Sequence, residues 1–207
     1  MGHATNDTKQ KLIDTALELI WKSSYGSVSV DDICKAADVK KGSFYHFFPS
    51  KVDLSIAAME QTACATKTAY DGVFSAERDP IERFERYADF VHDMQAQAAA
   101  KYGHVCGCPC ASLGSEMAGQ EAGIRKKFDD VMRRQERYFE STLRDMVAEG
   151  SLPANTDVKA KAQEIYTYVL GQMMMARIQN DLAPLKRDLK KGLLQLLGVK
   201  TKTSEAA

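Results

Sequence analysis

The stretch from Ser29 to Leu54 constrains this chain most, because it sets two helix starts, a tight turn and a stop signal close together. Ser29 and Asp32, three residues apart, form a capping box in which each side chain bonds the other's backbone N–H. The helix they open has Ile33, Ala36 and Ala37 on its inner face. Asp38-Val39 then makes a tight turn, and residues 42–48 are predicted as a short helix closed by Pro49, which cannot continue it. Ser50 with Asp53 is a second capping box. Upstream, Leu12, Ala16, Leu19 and Ile20 recur at helical spacing and predict a helix over 8–23, ended by Tyr25-Gly26. Three short helices with two tight turns, the last pair joined by about four residues, read as a helix-turn-helix from spacing alone.

The remainder also reads as helices. Asp79-Pro80-Ile81-Glu82 combines a cap, a proline at the first helical position and a reciprocal carboxylate, and opens a helix to about residue 100. A short helix follows Pro109. A long one is predicted over 121–150, another starts at Asn155-Thr156-Asp157 and reaches 179, and Asp181 with Pro184 opens the last, which ends near Gly198. The one short alternation, Ser27-Val28-Ser29-Val30, runs directly into a helix start, so the fold class is all-α. No internal repeat is visible, and the small polar tail over 200–207 is expected to fray.

With 207 residues and 44% apolar residues, the chain can bury a substantial core. Its most apolar stretch, from Tyr168 to Ala176, is interrupted by Gly171 and Gln172 and falls short of the roughly 20 residues that span a bilayer. No membrane partner is expected. The first residues have neither a basic start nor an apolar run, so no secretory signal is read and a cytoplasmic location is expected. Five cysteines, three of them within Cys106-Gly107-Cys108-Pro109-Cys110, fit a reducing compartment better than a disulfide framework. A formal net charge of zero does not announce a nucleic-acid binder, although the placement of cations matters more than their sum.

The segment Ser29 to Leu54 strongly resembles the DNA-binding signature of the TetR/AcrR regulators. The resemblance implies a three-helix DNA-binding domain over 1–54, a helical ligand-binding and dimerisation domain over 55–199, and a flexible tail over 200–207. It makes the 42–48 helix the recognition helix. Gly42 would let that helix approach DNA closely. Ser43, Tyr45 and His46 become candidates for base or backbone contacts, while Phe44, Phe47 and Phe48 face inward. Lys40, Lys41 and Lys51 are expected to clamp phosphates, and Tyr25 and Ser29 to touch the backbone; such contacts position a protein, whereas base contacts specify sequence. Two positions depart from the pattern. Asp38 stands at a turn position where glycine is usual, and Lys40 where a small hydroxyl residue is common.

The resemblance further implies a homodimer that binds a pseudo-palindromic double-stranded operator, most often as a repressor released by an inducer of unknown identity. Tyr168, Gly171, Gln172, Met175, Leu189, Leu193 and Leu196, on the last two long helices, are candidates for the dimer surface. Phe84, Met117, Phe128, Met132, Tyr166 and Met173 are candidates for an apolar ligand pocket, though helical spacing equally fits core packing. The cysteine run supports three readings. Cys106, Cys108 and Cys110 can be small buried packing residues, a thiol sensor whose thiolates the start of a helix stabilises, or soft-metal ligands with His104. The last two define an alternative function, a metal- or redox-sensing helical protein that does not bind DNA directly. No nucleophile frame, phosphate loop or conventional metal motif is present, so neither catalysis nor a cofactor is expected.

Overall fold

The computed structural model describes residues 2–199, so the tail expected over 200–207 lies outside the described residues. Within them the chain forms α1 (Gly2–Lys22), α2 (Val30–Ala37), α3 (Lys41–Phe47), α4 (Lys51–Val73), α5 (Pro80–Tyr102), α6 (Pro109–Met117), α7 (Ala122–Ala148), α8 (Val158–Gln179) and α9 (Ala183–Leu196). No strand occurs among the described residues, in agreement with an all-α class. None of these helices is long and apolar enough to cross a membrane.

The caps explain most boundaries. Asp79 accepts from the backbone of Ile81 at 2.8 Å and of Glu82 at 3.3 Å, with Pro80 beginning α5. Asp157 caps Ala160 at 3.0 Å, and Asp181 accepts from Ala183 at 2.9 Å. Glu82 does not return the bond expected of it, because its carboxylate pairs instead with Arg86 one turn on in α5 and with Arg78 just before the helix. α1 starts earlier than its apolar spacing indicates: Leu12 begins the buried face, and the helix extends back from it.

The chain divides into two compact units that alternate in sequence. The first runs to Thr66 and resumes over Cys108–Met132; the second comprises Lys67–Gly107 and the described residues from Arg133 on. The boundary expected after residue 54 is therefore not where compactness changes. α6 and the start of α7 bury Cys110, Leu113, Ile124 and Val131 in the same core as Leu12, Ile33, Phe44 and Leu54, which draws them into the first unit.

In the second unit, α9 packs against α5 and α8. Phe84, Tyr87 and Phe139 form a buried aromatic cluster with Tyr70 and Phe74, whose rings meet at tilted and edge-to-face angles. Arg83, only 4% exposed, has its guanidinium satisfied by Asp145 and by the carbonyls of Arg78 and Ala76. Leu189 and Leu193, expected on a dimer surface, are buried inside the subunit because α9 turns them toward its own neighbours. Tyr168 is engaged within the subunit as well: its hydroxyl donates to the Asp188 carbonyl at 3.0 Å and lies over Gly192, where a Cβ would come within 1.9 Å of the oxygen.

Phe139 is fully buried and touches three other rings of the cluster. Phe139→Ala is expected to lower the unfolding free energy by about 3–5 kcal/mol in a urea titration, as cavity formation adds to lost transfer energy.

Candidate nucleic-acid interface

α3 has too few residues to be stable alone, and its aromatic side chains fix its orientation. Phe44 is fully buried and Phe48 is 4% exposed, both in the core of the first unit with Ile33, Ala37 and Leu12. That packing turns Tyr45 outward, 50% exposed, with His46 exposed beside it. Gly42 is exposed too, and a Cβ there would meet nothing within 4 Å. The subunit itself therefore gives no steric reason for glycine at this position.

Two turns place the helix. Asp38 caps α2 in the left-handed region at φ 51°, while the Asp38 and Val39 N–H groups donate to the carbonyls of Lys35 and Cys34. An aspartate can adopt this conformation, at a cost of about 1 kcal/mol relative to glycine. At the other end of α2, Ser29 and Asp32 form the complete capping box. Asp32 N–H donates to Ser29 Oγ at 3.1 Å, and Ser29 N–H donates to the Asp32 carboxylate at 2.8 Å. The Ser29 hydroxyl also donates to that carboxylate, so Ser29, expected at a DNA phosphate, holds the helix start.

The lysines divide by environment. Lys40 is exposed at the N-cap of α3. Lys41 pairs with Asp31 at 2.8 Å on the surface, and this hydrogen bond raises its pKa. Lys51, expected to clamp a phosphate, is engaged within the subunit. Its ammonium donates to the carbonyls of Tyr25 at 2.9 Å and Val28 at 2.8 Å and lies 3.7 Å from the centre of the Tyr25 ring. Tyr25, expected at the DNA backbone, is only 7% exposed beneath it. Glu116 of α6 joins the same loop by accepting from the backbone of Gly26 at 3.1 Å and of Tyr25 at 3.4 Å. Sequence reasoning missed Glu116, whose partners lie 90 and 91 positions away.

The cysteine run falls on the boundary between units. Cys106 is fully buried in the second unit; Cys108 caps α6 and Cys110 is buried in the first. The expected helix-stabilised thiolate is not what this environment produces. Burial raises the pKa of all three thiols, and in Cys108 it outweighs hydrogen bonds from the backbone of Ala111 and Cys110. Among the described residues no cluster of three or more His, Cys, Asp or Glu side chains can hold a metal ion.

The six candidate pocket residues divide between the units. Phe84 is a member of the buried aromatic cluster, and Tyr166 and Met173 lie on the inner face of α8. Met117 and Phe128 pack half-buried against the first core, and Met132 is half-buried in that unit. A shallow apolar cleft of about 270 Å³, open mouth included, lies in the first unit between α1, α4 and α6. Leu17, Trp21, Ala58, Thr62, Cys110 and Leu113 are among its walls, and none of the six candidates is.

A short helix held by buried aromatics, presenting polar and aromatic side chains outward after a tight turn, defines a helix-turn-helix DNA-binding regulator. Residues 12–58 match the family described as bacterial regulatory proteins, tetR family, and residues 80–191 match the tetracyclin repressor-like C-terminal domain. The chain belongs to the TetR family of transcriptional regulators, whose members are DNA-binding proteins and not enzymes. It is 31% identical over 179 residues to the transcriptional regulator AcuR of Cereibacter sphaeroides, covering 82% of this chain and 76% of the relative. To the transcriptional repressor NemR of Escherichia coli it is 24% identical over 188 residues, 90% of this chain and 92% of that one. A TetR-family regulator from Agrobacterium tumefaciens has the same fold, with a TM-score of 0.80 at 22% identity over 95% of this chain and all of the other. The alternative of a metal or redox protein without DNA binding is set aside by this membership.

The Ser29 bonds hold the Asp32 carboxyl below the usual aspartate range. Because the folded pKa is depressed, the stabilisation is complete above the unfolded value of about 3.9 and is lost as pH falls through the folded one. NMR titration should place the Asp32 midpoint below that value, with amide protection factors at the start of α2, corrected for the intrinsic exchange rate at each pH, falling only below it.

Proposed function

We propose that this regulator is a repressor that binds a pseudo-palindromic operator as a homodimer in the cytoplasm and is released by a small-molecule inducer. The observation that carries the reading is the division of α3 into a buried aromatic face and an exposed face with Tyr45 and His46. Such a face suits the major groove, where side chains read base edges. Gly42, Ser43, Lys40 and Lys41 complete the contact surface, with Lys41 leaving Asp31 for a phosphate. The name of the NemR relative supports repression as the sign of regulation.

For the dimer, Gly171, Gln172, Met175 and Leu196 remain candidates, and Ile178 joins them. Met175 is 49% and Ile178 71% exposed, unusual values for large apolar side chains and spaced along one side of α8. For the inducer, differential affinity is what releases DNA: a ligand must favour the non-binding state by several kcal/mol to empty the operator. The apolar cleft between α1, α4 and α6 is an entry point for an uncharged ligand. The buried thiols favour packing over ready reaction with electrophiles.

Tyr45→Ala is expected to weaken operator binding by at least about tenfold, the scale of one lost base contact, without changing the thermal melt. Fluorescence anisotropy on a duplex selected by the wild-type protein from a random pool measures it, and undiminished binding would refute the recognition-helix assignment. Lys40→Gln should reduce the slope of log affinity against log salt by about 0.9 per subunit.

A further inference from the structure

We propose that Lys51 and Glu116 are a pair of positioning residues for DNA binding, which hold the loop between α1 and α2 and so fix the place of the reading helices. Within the loop of residues 23–29, Ser24 and Ser27 bond each other, Val28 N–H contacts the Tyr25 carbonyl at 3.4 Å, and the Tyr25 and Val28 side chains are buried in the first core. Two other helices, α4 and α6, add polar ties to the loop's backbone. Lys51, at the start of α4, takes two of its carbonyls, and Glu116, near the end of α6, takes two of its N–H groups. The loop ends in Ser29, the N-cap of α2, and α2 leads through the hydrogen-bonded left-handed turn at Asp38 to α3. A displacement of Tyr25 and Gly26 is therefore carried to the start of α2 and on to Tyr45.

The engagement of the Lys51 donors and of the loop amides separates this role from phosphate binding. Two of the three N–H donors of Lys51 are engaged by carbonyls at 2.8 and 2.9 Å, and the Tyr25 ring covers the ammonium at 3.7 Å. Burial lowers the pKa of Lys51 while the charge of Glu116 opposes that shift, so the carboxylate helps to keep the ammonium charged. A carboxylate on the Tyr25–Gly26 amides also occupies donors that a phosphate would otherwise use. α6 is anchored by Cys110 and Leu113, both buried in the core that contains Phe44, so the position of Glu116 follows that of α6. The inference rests on DNA binding by α3 and stands whether the regulator represses or activates.

The test uses the full chain and a labelled duplex selected from a random pool by the wild-type protein, with an unrelated duplex as control. Glu116→Ala should weaken binding to the selected duplex by about tenfold, the scale of a lost charge-assisted bond, and leave the unrelated duplex nearly unchanged. Electrostatics alone predicts the opposite, because removing a negative charge strengthens attraction to phosphates. Glu116→Gln, whose amide oxygen still accepts from Gly26 N–H, should stay within about threefold of wild type. Lys51→Met should lose affinity at an unchanged salt slope, whereas a phosphate contact would lower the slope by about 0.9 per subunit. A reduced slope in Lys51→Met, unaltered selectivity in Glu116→Ala, or a Glu116→Gln variant as weak as Glu116→Ala would each overturn the proposal. If Lys51→Met fails to fold, the two Glu116 variants decide it alone, together with faster exchange of the Gly26 amide in Glu116→Ala.

Discussion

The burial of Phe44 is the interaction on which the DNA-reading surface depends. A helix of seven residues has almost no stability of its own, since nucleation costs more than so few hydrogen bonds return. α3 exists because Phe44 and Phe48 reach a core built from α1, α2, α4, α6 and the start of α7. Once that face is buried, helical geometry leaves no choice for its neighbours. Tyr45 and His46 must point away, and the left-handed turn at Asp38 sets the angle at which α3 leaves α2.

Charge is organised around the same core. The chain is formally neutral, yet its cations near the reader differ in what they can do. Lys40 is exposed, Lys41 has a nearby carboxylate to leave, and Lys51 is bound into the loop. α4 is tied separately in each unit, through Glu60 to Lys127 at 3.0 Å in the first and through Asp71 to the Tyr138 hydroxyl at 2.6 Å in the second. The cysteines follow the opposite logic. A helix start favours a thiolate by a modest local field, whereas burial penalises any charge, and burial dominates at Cys108 and Cys110.

Two polar side chains, one buried and one exposed, secure the segment that leads into α6. Gln95 is fully buried, and its amide exchanges two hydrogen bonds with the backbone of Gly107, accepting at 2.9 Å and donating at 3.2 Å. Asn180, left-handed at the end of α8, accepts from Val105 N–H at 2.9 Å. Gly107 itself has φ +68°, and a Cβ there would press on Arg177 at 3.2 Å, so conformation and space both require glycine. The segment that precedes Cys108 is thus fixed by α5 and α8 within the second unit.

Local chemistry determined much of this protein from sequence alone. Caps at Ser29, Asp79 and Asp157, the stop at Pro49 and the aromatic spacing of 44–48 act over a few residues, so the helices and the inward or outward sense of Phe44 and Tyr45 were legible. Tertiary structure decided what depends on distant partners. Lys51 and Tyr25 look like DNA contacts until a loop carbonyl and an ammonium meet, Leu189 and Leu193 look like a dimer surface until α5 and α8 cover them, and Glu116 has no role until Gly26 lies beside it. The physical reason is the range of the forces: capping and periodicity are written within a turn or two of helix, whereas burial and hydrogen-bond partnership arise only when segments far apart in the chain are packed together.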